Sequence, residues 1–226
     1  MSFEVALRAT EVLLAVALIQ SSAEHLLGPR REKVLFAARI LCCALLLADL
    51  QTTTALLALC ALSLVILHRF QGPYNGGSDR MGVLILWMLT AAHLAPSPFW
   101  AELALAYLAA QVTLSYFISG RVKLVKPDWR NGRALNDVFA FSAYPVTEGF
   151  RALARQDQLL RAASWAVIGF ELAFPLALLF QTTLVIALVF AAGFHLVNAL
   201  LFGLNRFLWI WVASYPSLLW LQERLI

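Results

Sequence analysis

Glu171, His195 and Asn198 stand in stretches whose other residues are almost all apolar, and Lys123 stands just past the end of another. An ionisable group within a membrane helix costs about 2.5–3.5 kcal/mol on insertion scales, so each such residue calls for a partner or a function. Lys123 lies three residues past Gly120 in "SYFISGRVKL" and precedes Pro127 and Trp129. Gly120 is expected to end its helix, as glycine often does where a positive φ is needed. Lys123 would then run along the membrane boundary and either snorkel to lipid phosphates or point into the protein. Pointing inward, burial disfavours its charged form, and a neutral amine is a usable base near neutral pH. Glu171 sits near the middle of "WAVIGFELAFPLALLF", four residues before Pro175. Proline supplies no N–H, so the Glu171 carbonyl loses its helical donor and a polar, kinked spot results. A protonated glutamate bonded to a neighbouring helix is one reading of Glu171, and a site residue is the other. His195 and Asn198, three residues apart in "AAGFHLVNALLFG", share one helix face and suggest a lined cavity. No HxxxH or ExxH pattern accompanies His195, so no metal is expected. His25, His68 and His93 fall at segment ends, where interfacial solvation accounts for them.

The elements that must position these groups follow from composition. The chain is 62% hydrophobic and 13% charged, with a mean hydropathy of +0.78. Soluble domains sit near 45–50% apolar and about 25% charged. The expectation is an all-α polytopic membrane bundle forming a single domain over 1–226, with hydrophobic segments near 9–27, 34–50, 53–68, 81–95, 99–119, 163–180, 183–203 and 207–222. Seven or eight of them are expected to span. Between the segments, "GFRALARQDQLLRAAS" (149–164) reads as a short amphipathic helix along the interface. Glu4, Arg8 and Glu11 and the lack of a small-residue cleavage pattern argue against a cleaved signal. Cys42, Cys43 and Cys60 lie in apolar runs without a CxxC and read as core residues. Most lysines and arginines gather in connections that fall on one face, above all in 120–162. The positive-inside rule makes that face cytoplasmic and puts the C-terminus outside.

"YFISGRVKL…DWRNG" resembles a segment of the vitamin K-dependent γ-carboxylase and its relatives, the horizontally transferred transmembrane (HTTM) family. Further pieces resemble that family in order. They are "PYNGGSDRMGVLILWML", an Asn-containing turn opening a helix, then "FELAFPLALLF", then "FHLVNALLFGLNRFLWIWVASYPSLLW". Together they cover roughly residues 71–222. In the carboxylase, the lysine before that leucine deprotonates vitamin K hydroquinone. Oxygen then converts the quinol into a strong base that takes a γ-proton from glutamate for attack on carbon dioxide. By motif position that lysine is Lys123. Gly77 stands where the carboxylase turn has a histidine, and no counterpart of the lumenal domain associated with protein substrates is expected.

The resemblance implies quinol chemistry in a membrane-buried pocket, with Lys123 and His195 catalytic. Glu171 and Asn198 would line the pocket, Asn75 and Asp79 would close its mouth, and Trp129 would act as a lid. The implied cofactor is a vitamin K-like quinol, with O2 and CO2 if carboxylation is retained. Its carboxylase relative works from the lumenal face, opposite to the orientation that the charges indicate. On this reading Lys123→Ala abolishes activity and leaves folding intact. The competing expectation is a non-enzymatic membrane component that binds a lipid or quinone, or assists maturation of a secreted peptide. A transporter is disfavoured because no internal repeat is visible. Expected partners are membrane lipids, a lipid-soluble quinone, and a small peptide or partner protein, with no nucleic acid. A prokaryotic cell membrane is the expected location.

Overall fold

Long apolar runs make helices here because, without water, a backbone can satisfy its N–H and C=O groups only internally. The computed structural model describes residues 1–27, 30–69, 76–142 and 148–225, and every regular element among them is helical. Eleven α-helices follow in order: α1 (Phe3–His25), α2 (Arg30–Leu47), α3 (Thr52–Arg69), α4 (Gly76–Leu94), α5 (Pro98–Val125), α6 (Pro127–Arg130), α7 (Arg133–Phe141), α8 (Glu148–Arg151), α9 (Asp157–Ala173), α10 (Gln181–Phe202) and α11 (Asn205–Leu225). Each of the eight apolar segments read from the sequence coincides with a long helix. The ends obey local chemistry. Ser2 caps α1 by accepting from the Val5 amide, and Pro98 opens α5, where its missing N–H is harmless.

Among the described residues, four stretches are long and apolar enough to cross a membrane: Thr52–Arg69, Pro98–Val125, Asp157–Leu179 and Gln181–Phe202. In α10, Ile186, Val189 and Leu200 remain largely uncovered by protein. Such side chains are placed for lipid contact, since lipid tails are as apolar as they are. The 28 residues of α5 extend about 42 Å, more than the ~30 Å hydrocarbon thickness. Pro175 acts as the sequence indicates. α9 ends at Ala173, and the chain tightens into a 3₁₀ stretch, Phe174–Leu179.

The chain divides into two compact units, residues 1–109 with 206–225, and residues 110–205. In the first, α1 packs on α2, α2 on α3, α3 on α4, and α4 also meets α1. Its buried interior includes Leu14, Phe36, Leu46, Leu59 and Leu89, with Cys43 and Cys60 among them. In the second, α6 and α7 pack on α9, and the 3₁₀ stretch packs on α10.

One expected element is corrected. The amphipathic helix over 149–164 is broken at Gln156: α8 and a 3₁₀ turn (Ala152–Arg155) precede it, and α9 begins at Asp157. Leu160 and Ser164 are buried within the second unit, while residues 149–159 are exposed or half-buried. The amphipathic helix is α7 instead. It buries Phe139, whose ring meets Phe202 edge-on at 5.1 Å, and exposes Arg133 and Asp137.

Candidate functional site

A side chain at residue 120 would keep the site from forming. α5 does not stop at Gly120 but runs on to Val125, which places Lys123 in its last turn. The glycine serves close approach rather than termination. A Cβ there would lie 2.8 Å from the Leu172 amide nitrogen and 2.9 Å from the Glu171 Cβ. The bare Cα lets α9 lie directly against α5, and one turn further along Lys123 meets Glu171. Lys123 Nζ donates to both Glu171 carboxylate oxygens at 2.7 Å. The glutamate side chain is 5% exposed and the lysine side chain 17%.

Lys123 therefore points inward, and it does so as one half of an ammonium–carboxylate pair. This corrects the expectation that its removal leaves folding undisturbed. Lys123→Ala would strand a buried carboxylate, which is among the more destabilising changes a protein can suffer.

The turn beyond α5 is built to bring an aromatic ring to this pair. α6 is a single turn with Pro127 at its first position. α9 holds it by two hydrogen bonds: the Ser164 hydroxyl donates to the Trp129 carbonyl at 2.5 Å, and Trp165 Nε1–H donates to the Arg130 carbonyl at 3.0 Å. The chain then leaves through Gly132, whose φ of 86° few other residues adopt. A Cβ at Gly132 would also stand 2.8 Å from Arg161 Cα. The result sets the Trp129 ring centroid 5.0 Å from Lys123 Nζ, a cation–π distance.

A second polar contact lies two turns back on the same face of α5. Tyr116 Oη and His195 Nε2 are hydrogen-bonded at 2.9 Å, and both side chains are buried. The Tyr116 ring stacks on Phe174 at 4.1 Å and meets Phe170 edge-on at 5.9 Å. Phe174 is three residues past Glu171, so the end of α9 supplies the acid and the first residue of the 3₁₀ stretch supplies the stacking ring. Asn198 is half-buried and donates its side-chain N–H to the Phe194 carbonyl of its own helix at 3.0 Å.

Asp79 belongs to the first unit, where it lines a cavity with Arg39 and Arg206. Asn75 lies outside the described residues. Two of the histidines assigned to interfacial solvation are tied into the first unit. His93 Nε2 is 2.5 Å from Glu11 Oε1, and His25 accepts from Arg206 at 2.6 Å while stacking on Phe36. Sequence reasoning also passed over Tyr116 and Arg39, and used Glu11 only to argue against a cleaved signal. A signal existed for each. Tyr116 is seven residues before Lys123, hence on its face, while Glu11 and Arg39 are lone charges in apolar runs.

Chemically, the second unit offers a carboxylate beside a fixed cation, a tyrosine–histidine pair and an aromatic wall, carried by helices built for lipid. Helices of this length and apolarity define an integral, multi-pass membrane protein. The HTTM domain model matches residues 86–222, more than half of the chain, and the chain belongs to that family. No solved structure matches it.

Proposed function

We propose that this chain is a membrane enzyme that binds a lipid-soluble quinol between the Lys123–Glu171 pair and the aromatic cluster around Tyr116, and uses its reducing power. The observation that carries the reading is the bidentate Lys123–Glu171 pair under the Trp129 ring. A paired acid and base in an apolar setting are costly to keep, and catalytic groups are where that cost is commonly met. The residues suit such a ligand. Tyr116, Phe170 and Phe174 form an aromatic cluster in the same unit, while Glu171 and Lys123 offer an acceptor and a donor for ring hydroxyls. A bound quinol supplies two electrons and hydroxyl protons for reaction with oxygen.

The chain's own groups divide the work. Glu171 Oε1 or Oε2 accepts a hydroxyl proton, and Lys123 Nζ, losing its counter-charge, then favours an anion beside it. Trp129 shields the pair from water. The Tyr116–His195 bond fixes the tyrosine ring against Phe174. Oxygen, and carbon dioxide if glutamate carboxylation is retained, would be the co-substrates. A small peptide would be the acceptor in that case.

Lipid extracted from the purified protein tests this. A quinone recovered near one per chain by mass spectrometry, and lost in a folded Glu171→Gln variant, supports the reading. A folded protein without quinone, and without quinol-dependent oxygen uptake, overturns it. A second reading draws on the same pair: occupying both carboxylate oxygens is also how a structural tie between α5 and α9 would look. On that reading the chain is a non-enzymatic lipid-binding component, and Glu171→Gln changes stability without changing bound lipid.

A further inference from the structure

Arg39 is 7% exposed, although it is a guanidinium in the middle of an apolar helix. Its Nε donates to the Ser22 hydroxyl at 2.6 Å and its Nη2 to Ser21 at 2.7 Å. Phe36 lies along the guanidinium, 4.9 Å from ring centroid to Cζ. Arginine carries five N–H donors, so these two bonds leave most of its capacity unused. No carboxylate reaches ion-pair distance of Arg39 among the described residues. Burying a cation so costs several kcal/mol unless an anion completes it.

Arg39 also lines a cavity of about 30 Å³, together with Arg206, Ser63, Ser78 and Asp79. Arg206 already donates to His25 and lies 3.5 Å from Glu24, which is outside the lining. Asp79 is half-buried and makes no hydrogen bond or ion pair with the described residues. Two guanidinium groups and one carboxylate thus line one small space; Glu24 partners Arg206 from outside it, which leaves Arg39 as the cation with no carboxylate at ion-pair distance among the described residues. The cavity is partly open, and its volume admits about one or two water-sized groups, which suits the oxygens of a head group rather than a whole ligand.

We infer that this cavity, formed by Arg39 and Arg206 in the first unit, binds the oxygens of a phosphate-type anion. Guanidinium groups converging from two helices match a phosphate, whose several oxygens can accept from both at once. The Ser21 and Ser22 hydroxyls hold Arg39 in place and each donates onward to the Leu18 carbonyl, so neither competes for the ligand as a stranded polar group. Asp79 opposes the anion and keeps the site reversible. Arg39 and Asp79 lie outside the stretch matched by the family model, and Arg206 lies within it. The site stands independently of the quinol reading.

The source of the phosphate is decided by titrating the purified full chain two ways. One arm adds sodium phosphate in detergent against sodium chloride of equal ionic strength. The other places the chain in nanodiscs of phosphatidylcholine with increasing phosphatidic acid. Thermal stabilisation or tryptophan fluorescence reads binding. Arg206→Gln is expected to weaken binding by about tenfold, equivalent to ~1.4 kcal/mol. Arg39→Gln removes the bonds to Ser21 and Ser22 as well, so it is a supporting variant only. Asp79→Asn is expected to tighten binding by a similar factor, a gain that a folding defect cannot imitate. Response to phosphatidic acid alone assigns a lipid head group, and response to free phosphate assigns a soluble anion. No response in either arm, or responses untouched by Arg206→Gln and Asp79→Asn, overturns the inference and leaves a hydrated cluster.

Discussion

Cutting the Lys123–Glu171 pair from its two ends should have unequal effects. Lys123→Ala leaves Glu171, 5% exposed, with no cation at its two oxygens. Removing one partner of a buried pair costs about 3–5 kcal/mol. Glu171→Gln leaves a lysine that is 17% exposed on the last turn of α5, free to swing toward the membrane surface while the amide oxygen can still accept one bond. That change should cost about 1–2 kcal/mol. The double replacement Lys123→Met with Glu171→Leu removes both charges and refills the space, and should fall within about 1–2 kcal/mol of the parent protein. For a chain of this length 1 kcal/mol corresponds to about 2–4 °C in Tm. Lys123→Ala is therefore expected to melt about 6–20 °C lower, Glu171→Gln about 2–8 °C lower, and the double variant close to the parent. Thermal unfolding in detergent, followed by tryptophan fluorescence and by size-exclusion recovery, measures all of them. If Lys123→Ala melts with the parent protein, or if the double variant loses the sum of the two single losses, the pair is not a buried ion pair and the site argument built on it fails.

Gly120→Ala should destabilise by about 1–3 kcal/mol, because its Cβ must displace the α9 backbone 2.8 Å away; an unchanged Tm would mean α5 and α9 are not in such contact. Gly132→Ala meets both a positive φ and the Arg161 backbone, and is expected to cost at least as much by the same assay. Tyr116→Phe removes the hydroxyl from His195 and should cost about 1–2 kcal/mol while leaving the stacking on Phe174. An undiminished Tm would show that bond to be unimportant. Orientation follows from charge: in a background without Cys42, Cys43 and Cys60, Lys126→Cys should react with an impermeant maleimide only after the cells are permeabilised, and labelling of intact cells would reverse the topology.

Much of the architecture was legible without coordinates because a lipid-facing helix carries its instruction locally. An apolar run of sufficient length needs no distant residue to become a helix, so every predicted segment has its counterpart. Pro175 was equally legible, since a missing N–H acts on its own helix whatever surrounds it. The motifs spread over roughly residues 71–222 were enough to indicate the family. Gly120 shows where local reading ends. Its sequence context suits a helix terminus, yet its role is to let another helix approach, and that depends on Leu172, some fifty residues away in the chain. The stretch 149–164 misled for a related reason: its spacing suits an amphipathic surface helix, but burial of Leu160 and Ser164 joins its second half to α9. The polar residues follow the same division. Sequence identified Lys123, Glu171 and His195 as groups that needed partners, because an unpaired charge is costly in lipid wherever it sits. Which partner each found, Glu171 for Lys123 and Tyr116 for His195, was decided only when helices far apart in sequence packed together, since ion pairs and hydrogen bonds depend on distances of a few ångströms that no spacing along the chain determines.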